Sequence, residues 1–169
     1  MQIVGSGNEL LDVTFEAAYC VSVFDPVLTG GFGDILGDAP VLTGSISLID
    51  DETMFGGSFS NLNPDVSADS IDNMINYILN QDFGSQGFTD AEIQGAIWGL
   101  TDDLVFVADG AGDVADADAI LADAIANGAD FEAGAGDIVG IFIDPSDATE
   151  DAGHSQPFIV GVTIDECIC

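Results

Sequence analysis

Two short stretches of this 169-residue chain carry side chains able to do covalent chemistry. The first is Tyr19-Cys20-Val21, where Cys20 supplies a sulfur that is nucleophilic as a thiolate. The second is Ile93-Gln94-Gly95-Ala96-Ile97-Trp98, where Gln94 supplies a primary amide, an acyl carbon that reacts only when a nucleophile is held against it. On a helix, Gln94 and Trp98 stand four apart and share one face, with Ile97 close beside it. Taken singly, each residue has an ordinary reading. A cysteine between Tyr and Val is a small buried hydrophobe, a lone glutamine is solvated, and a lone tryptophan is core. His154 is the single histidine, in Gly153-His154-Ser155-Gln156, and reads either as a general base or as an exposed loop residue.

The elements that must position these groups follow from periodicity. Asp12 to Phe24 is β-branched and aromatic strand material, closed by Asp25-Pro26. The glycine-rich Thr29 to Asp34 lacks the Lys of a phosphate loop and reads as a turn. Val41 to Ile49 alternates as a strand. From Ser67 to about Gln81, Ile71, Met74, Ile75, Ile78 and Leu79 recur at helical spacing. Thr89-Asp-Ala-Glu92 is a capping box that opens a second helix through Leu100. Ala115 to Ala126 makes a third, alanine-rich helix. Strands return at Asp137 to Ile143 and Phe158 to Ile164. The expected fold class is therefore α+β: strands from both chain ends, with an inserted helical part of about three helices spanning roughly 65–130.

Composition narrows the function classes. There are 31 acidic residues and no Lys or Arg, for a net charge of -31. Nucleic acid is excluded as a partner, because its phosphates require basic side chains. An apolar fraction of 47% supports a single packed domain over residues 1–169. No apolar run is long enough for a membrane span, and Met1 to Glu9 has neither the basic nor the hydrophobic region of a signal peptide. An exported origin would make this an excised fragment. Cys20, Cys167 and Cys169 make an odd count, which in an exported protein points to a free reactive thiol or an intermolecular bond. Residues 166–169 read as a boundary to a following domain.

The pairing of Tyr19-Cys20 with the later Ile93-Gln94-Gly95-Ala96-Ile97-Trp98 resembles the thioester domains of bacterial surface adhesins, and the likeness runs from about Tyr19 to Ile164. The resemblance implies a sandwich- or barrel-like β part with the helices inserted, and an internal Cys20–Gln94 thioester at the junction. It implies an extracellular, cell-surface module of a longer protein, one that binds covalently by acyl transfer to amines, or less readily hydroxyls, without turnover. Target classes are an amine-bearing protein, a polyamine or a glycan on another surface, with no insertion into membrane. The chemistry has independent reasons. Sulfur attacks the amide carbon, ammonia leaves, and the product must be kept from water until a target arrives. Tyr19, Ile97 and Trp98 are the expected shield. The absence of lysine admits two readings, protection of the activated acyl group from self-attack or compositional drift.

Two rival functions remain open at this level. Cys20 and His154 occur in the order found in papain-like thiol hydrolases, although the sequence around Cys20 lacks that family's glycine-and-tryptophan signature. An inert structural surface module, with Cys20 merely buried, is the other. No cofactor is expected. The Asp-rich stretches Asp109–Asp118 and Asp144–Asp151 offer calcium-type oxygen ligands but not the spacing of an EF-hand, and Cys167-Ile-Cys169 lacks the partners of a zinc site.

Overall fold

The structure, a computed structural model, describes residues 18–20, 45–48, 62–144 and 158–164. They form one antiparallel sheet and four α-helices, an α+β arrangement. The strands are β1 (Tyr19–Cys20), β2 (Ser45–Leu48), β3 (Ile138–Asp144) and β4 (Phe158–Thr163), in the order β1-β4-β3-β2. The helices are α1 (Ile71–Asn80), α2 (Phe83–Gln86), α3 (Asp90–Thr101) and α4 (Val114–Asn127), all between β2 and β3 in sequence.

Each helix begins and ends where local chemistry dictates. Ala68–Ser70 tightens into a 3-10 turn ahead of α1, so the expected start at Ser67 comes as a different helix type. α1 then buries Ile71, Met74, Ile75 and Ile78, the row read from the sequence. The short α2 has no counterpart in the periodicity of the sequence. Asp82 caps it by accepting from the Ser85 N–H, and Gly87, at φ 99°, ends it in the left-handed conformation. The expected capping box of α3 is present: Thr89 N–H donates to Glu92 at 2.7 Å, and Glu92 N–H donates to the Thr89 hydroxyl at 3.3 Å. Asp113 caps α4 by accepting from Ala115 N–H at 2.8 Å.

The main core lies between the helices and one sheet face. Ile71, Ile75, Ile97, Leu100, Ile120 and Ile159 are all essentially inaccessible there, with Tyr19 packed against them. A second cluster of Ile141 and Val160, with Ala18 and Val162, occupies the opposite face. α1 is fastened to β3 by side-chain amides. Asn80 accepts from Ile138 N–H at 2.8 Å and donates to Ile138 C=O at 2.7 Å, while Asn76 accepts from Gly140 N–H at 2.8 Å. These bonds satisfy the β3 main chain just before Ile141, where pairing with β2 begins.

α3 packs closely on its neighbours because it presents Gly95 and Gly99 on one stripe. A Cβ at Gly95 would lie 2.8 Å from the Phe106 carbonyl oxygen and 3.1 Å from the Ala117 Cβ; one at Gly99 would lie 2.9 Å from Val105 and 2.6 Å from Leu121. After α3 the chain reverses at Asp103, at φ 51°, and residues 104–107 run back along the helix. Val105 and Val107 fill the glycine stripe.

Candidate functional site

The structure brings Cys20 and Gln94 together, although 74 residues separate them. Cys20 N–H donates to Gln94 Oε1 at 2.6 Å, and Gln94 Nε2 donates back to the Cys20 carbonyl at 2.7 Å. Among the described residues β1 is the edge strand of the sheet, pairing with β4 through Tyr19 opposite Ile159 and Cys20 opposite Phe158. A strand residue directs its N–H and C=O to the same side. Both polar groups of Cys20 are engaged by Gln94, so they point away from β4, and the carboxamide completes the open edge as one residue of a further strand would.

This contact does two chemical things at once. It places the amide carbon beside the residue that carries the thiol. It also aims a main-chain N–H at Oε1, the oxygen on which negative charge develops when that carbon is attacked. The Asn80–Ile138 contact has the same two-bond geometry, but Ile138 offers no nucleophile.

Burial sets the sulfur's properties. Cys20 is a half-buried free thiol, and loss of hydration pushes its pKa up. The Tyr19 phenol is likewise raised, first by burial and then by the Asp90 carboxylate. Strand alternation sends Tyr19 toward the helix-side core and Ala18 and Cys20 toward the other face. Ile97, fully buried, belongs to the same helix-side core. Trp98 is partly exposed on the Gln94 face, its ring centroid 6.1 Å from that of Phe106. The Trp98 indole nitrogen is buried with no hydrogen-bond partner among the described residues.

Glu92 fixes the helix that carries Gln94. Only 4% exposed, it accepts from Thr89 N–H and, at 2.8 Å, from Asp113 N–H, tying the start of α3 to the cap of α4. Those two main-chain donors hold its carboxyl below the usual range. Gly112 lets the loop approach, since a Cβ there would lie 2.6 Å from Glu92 Oε1.

His154, Cys167 and Cys169 lie outside the described residues, as do residues 145–151 of the second acidic stretch. Of the first acidic stretch, residues from Val114 onward are helical. Among the described residues no group of three or more His, Cys, Asp or Glu assembles to hold a metal ion. Sequence reasoning missed three participants: the Cys20 N–H itself, Asp90 one turn before Gln94 on the same helical face, and Phe106 against Trp98. The spacing Asp90, Gln94, Trp98 was the available signal for the second.

No protein-family model matches the chain, and no curated protein matches it by sequence. Solved structures do match. The N-terminal thioester domain of a surface protein from Clostridium perfringens aligns at TM-score 0.57 and 14% identity, covering 94% of this chain and 84% of that one. A cysteine-to-alanine mutant of an N-terminal thioester domain from a surface protein of the same species aligns at TM-score 0.53 and 13% identity, covering 88% and 81%. At this identity the likeness is one of architecture, and the chain has the fold of these N-terminal thioester domains.

Proposed function

We propose that Cys20 and Gln94 condense to an internal thioester, and that the domain uses it to attach covalently to amines on another surface. The observation that carries this reading is the pair of hydrogen bonds, 2.6 and 2.7 Å, locking the Gln94 carboxamide onto the Cys20 main chain. In the forming step the Cys20 sulfur attacks the Gln94 amide carbon. Cys20 N–H stabilises the charge gathering on Oε1. The carbon–nitrogen bond breaks, the thiol proton passes to the departing nitrogen, and ammonia is released. In the capture step a lysine amine, or less readily a hydroxyl, attacks the same carbon. The carbon–sulfur bond breaks, the nucleophile's proton passes to sulfur, and an amide (or ester) joins Gln94 to the target. A thiol whose pKa is raised takes that proton readily, which favours the finished cross-link. Each molecule reacts once, without turnover. Tyr19 and Ile97 form the apolar floor of the site, and Trp98 its flank.

The fold likeness to surface-protein domains supports an extracellular, cell-surface setting within a longer protein. No helix among the described residues is long and apolar enough to cross a membrane. The buried Ile141–Val160 face supports a second layer against the sheet, the sandwich- or barrel-like closure of the β part. A structural staple is the second reading, favoured by the Asn80–Ile138 pairing of identical form. Intact mass of freshly purified protein separates the two. The thioester lowers the mass by one ammonia and lets methylamine add, both abolished in Cys20→Ala; a staple leaves the full mass and adds nothing.

A further inference from the structure

Among the described residues, the large apolar side chains left exposed are Leu104, Phe106 and Val114, and Phe106 lies against Gly95, the residue next to the proposed acyl donor. The cause is the glycine stripe of α3. Val105 and Val107 enter it, so alternation along the extended 104–107 segment turns Leu104 (39% exposed) and Phe106 (48% exposed) outward. The Phe106 main chain lies over Gly95, the residue next to Gln94, and its ring meets Trp98. Leu104 N–H reaches the Trp98 carbonyl at 3.5 Å. Trp98 and Phe106 thus make an apolar patch about a helical turn, roughly 5 Å, from Gln94, and Leu104, on the same outward side as Phe106, extends it away from Gln94. At the other end of that helix face stands exposed Asp90, and exposed Asp103 and Asp109 bracket the 104–107 segment.

We infer that this patch is a recognition subsite for the target: it takes a large apolar side chain two residues away from the lysine that couples to Gln94, in a cationic peptide segment. The charge side of the argument is general to the chain, which has 31 acidic groups and no Lys or Arg, so a basic segment is the complementary partner. The spacing side follows from extended peptide geometry. Residues two apart lie on one side of the backbone, roughly 6–7 Å from each other, matching the step from Gln94 to the patch. An amine on Gln94 and an apolar side chain against Phe106 are then satisfied together. The inference rests on the thioester reading for its lysine, but the apolar contact can be read without it.

The test uses the Cys20→Ala chain, in which no covalent product forms, and two synthetic cationic peptides. One has phenylalanine two residues from its lysine, and the other has serine there. Trp98 is the chain's single tryptophan, so its fluorescence reports directly on the patch. The phenylalanine peptide is expected to shift that emission and to bind about tenfold tighter than the serine peptide, the effect of burying one large apolar side chain. Phe106→Ser and Leu104→Ser, each made in that background, should bring the two peptides to equal affinity. Equal affinity in the unsubstituted background, or discrimination that survives both substitutions, overturns the subsite. Failure of the thioester reading shows elsewhere, as a wild-type mass that lacks the loss of ammonia.

Discussion

The Gln94 carboxamide occupies both main-chain hydrogen-bonding positions of Cys20, so a helix side chain stands where a neighbouring strand would. A helix presents no main-chain donors or acceptors sideways, so its attachment to a sheet edge must be made by side chains. Asn80 does this for the start of β3, ahead of its pairing with β2, and Gln94 does it for β1. At Gln94 the attachment puts an acyl carbon next to a sulfur-bearing residue, the juxtaposition on which the proposed thioester depends.

The first prediction concerns that device. Relative to the unreacted chain, Gln94→Ala removes both hydrogen bonds and leaves the Cys20 N–H and C=O to find water, lowering stability by about 1–3 kcal/mol; relative to the thioester form, whose Nε2 has left as ammonia, it removes the cross-link and the bond to Oε1. It also removes the acyl carbon, so the mass deficit of one ammonia disappears. Gln94→Glu keeps the length but puts an acceptor opposite the Cys20 carbonyl; it should lose the deficit too and be less stable than wild type at neutral pH. Denaturant titration and intact mass, run on the same samples, check both.

Cys20 itself should titrate late. With the thioester removed by Gln94→Ala, the thiol is free, and its burial favours the neutral form. Alkylation by iodoacetamide should therefore rise with a midpoint above the value of an unperturbed thiol, about 8.5. The same shift makes the folded state lose stability as pH climbs past the unfolded thiol's value, because only the unfolded chain then ionises freely. A reaction midpoint at or below that of a model thiol would contradict the burial seen here.

Much of this was legible in the residues, and the exceptions have physical causes. The Thr89–Glu92 box, the α1 row and the two late strands are local patterns, and each stands within a few residues of where periodicity puts it. The α2 turn is too short for periodicity to register; only its Asp82 cap and Gly87 stop announce it. That Cys20 and Gln94 belong together is readable by resemblance, yet the manner of their contact is not, since main-chain bonds leave no residue type behind. Phe106 was invisible as a site residue for a related reason. Its exposure is set by which of two alternating pairs enters the glycine stripe of α3.

That stripe gives a third prediction. Gly95→Ala gains helix propensity, about 1 kcal/mol, but drives a methyl to 2.8 Å from the Phe106 carbonyl oxygen, a main-chain atom that cannot rotate away. Overpacking of this kind costs about 1–3 kcal/mol, so the net effect is a lower Tm. Gly99→Ala meets the ends of Leu121 and Val105 instead, which can shift, and should cost less. Gly95→Ala should also slow thioester formation, because the displaced segment borders the Gln94 face of α3.

Glu92 makes the fold acid-sensitive in a defined window. Its carboxyl is held below the usual range by the Thr89 and Asp113 N–H groups, so it contributes stability above the unfolded value of about 4.3. That contribution is lost as pH falls through the lower folded value. Glu92→Gln should be less stable than wild type at pH 7 and should lose less on acidification. Thermal melts of both proteins across pH 3 to 7 would show the gap closing at the acid end, and a constant gap would assign the effect to shape rather than charge.

The last prediction follows from charge. With a net charge of -31, the domain surrounds the proposed Cys20–Gln94 bond with a negative field that concentrates cations and is cut to a Debye length of about 8 Å at physiological ionic strength. A lysine-rich peptide should therefore couple faster than a neutral amine of equal basicity at low salt, with the advantage shrinking as salt rises. Steering acts on encounter rather than on the chemical step, so the neutral amine's rate should stay nearly flat over the same range. The two coupling rates, followed by mass at 10 mM and 500 mM salt, separate field from chemistry. Parallel salt dependence for both amines would mean that the acidic surface serves solubility alone, leaving target choice to the contacts around Gln94.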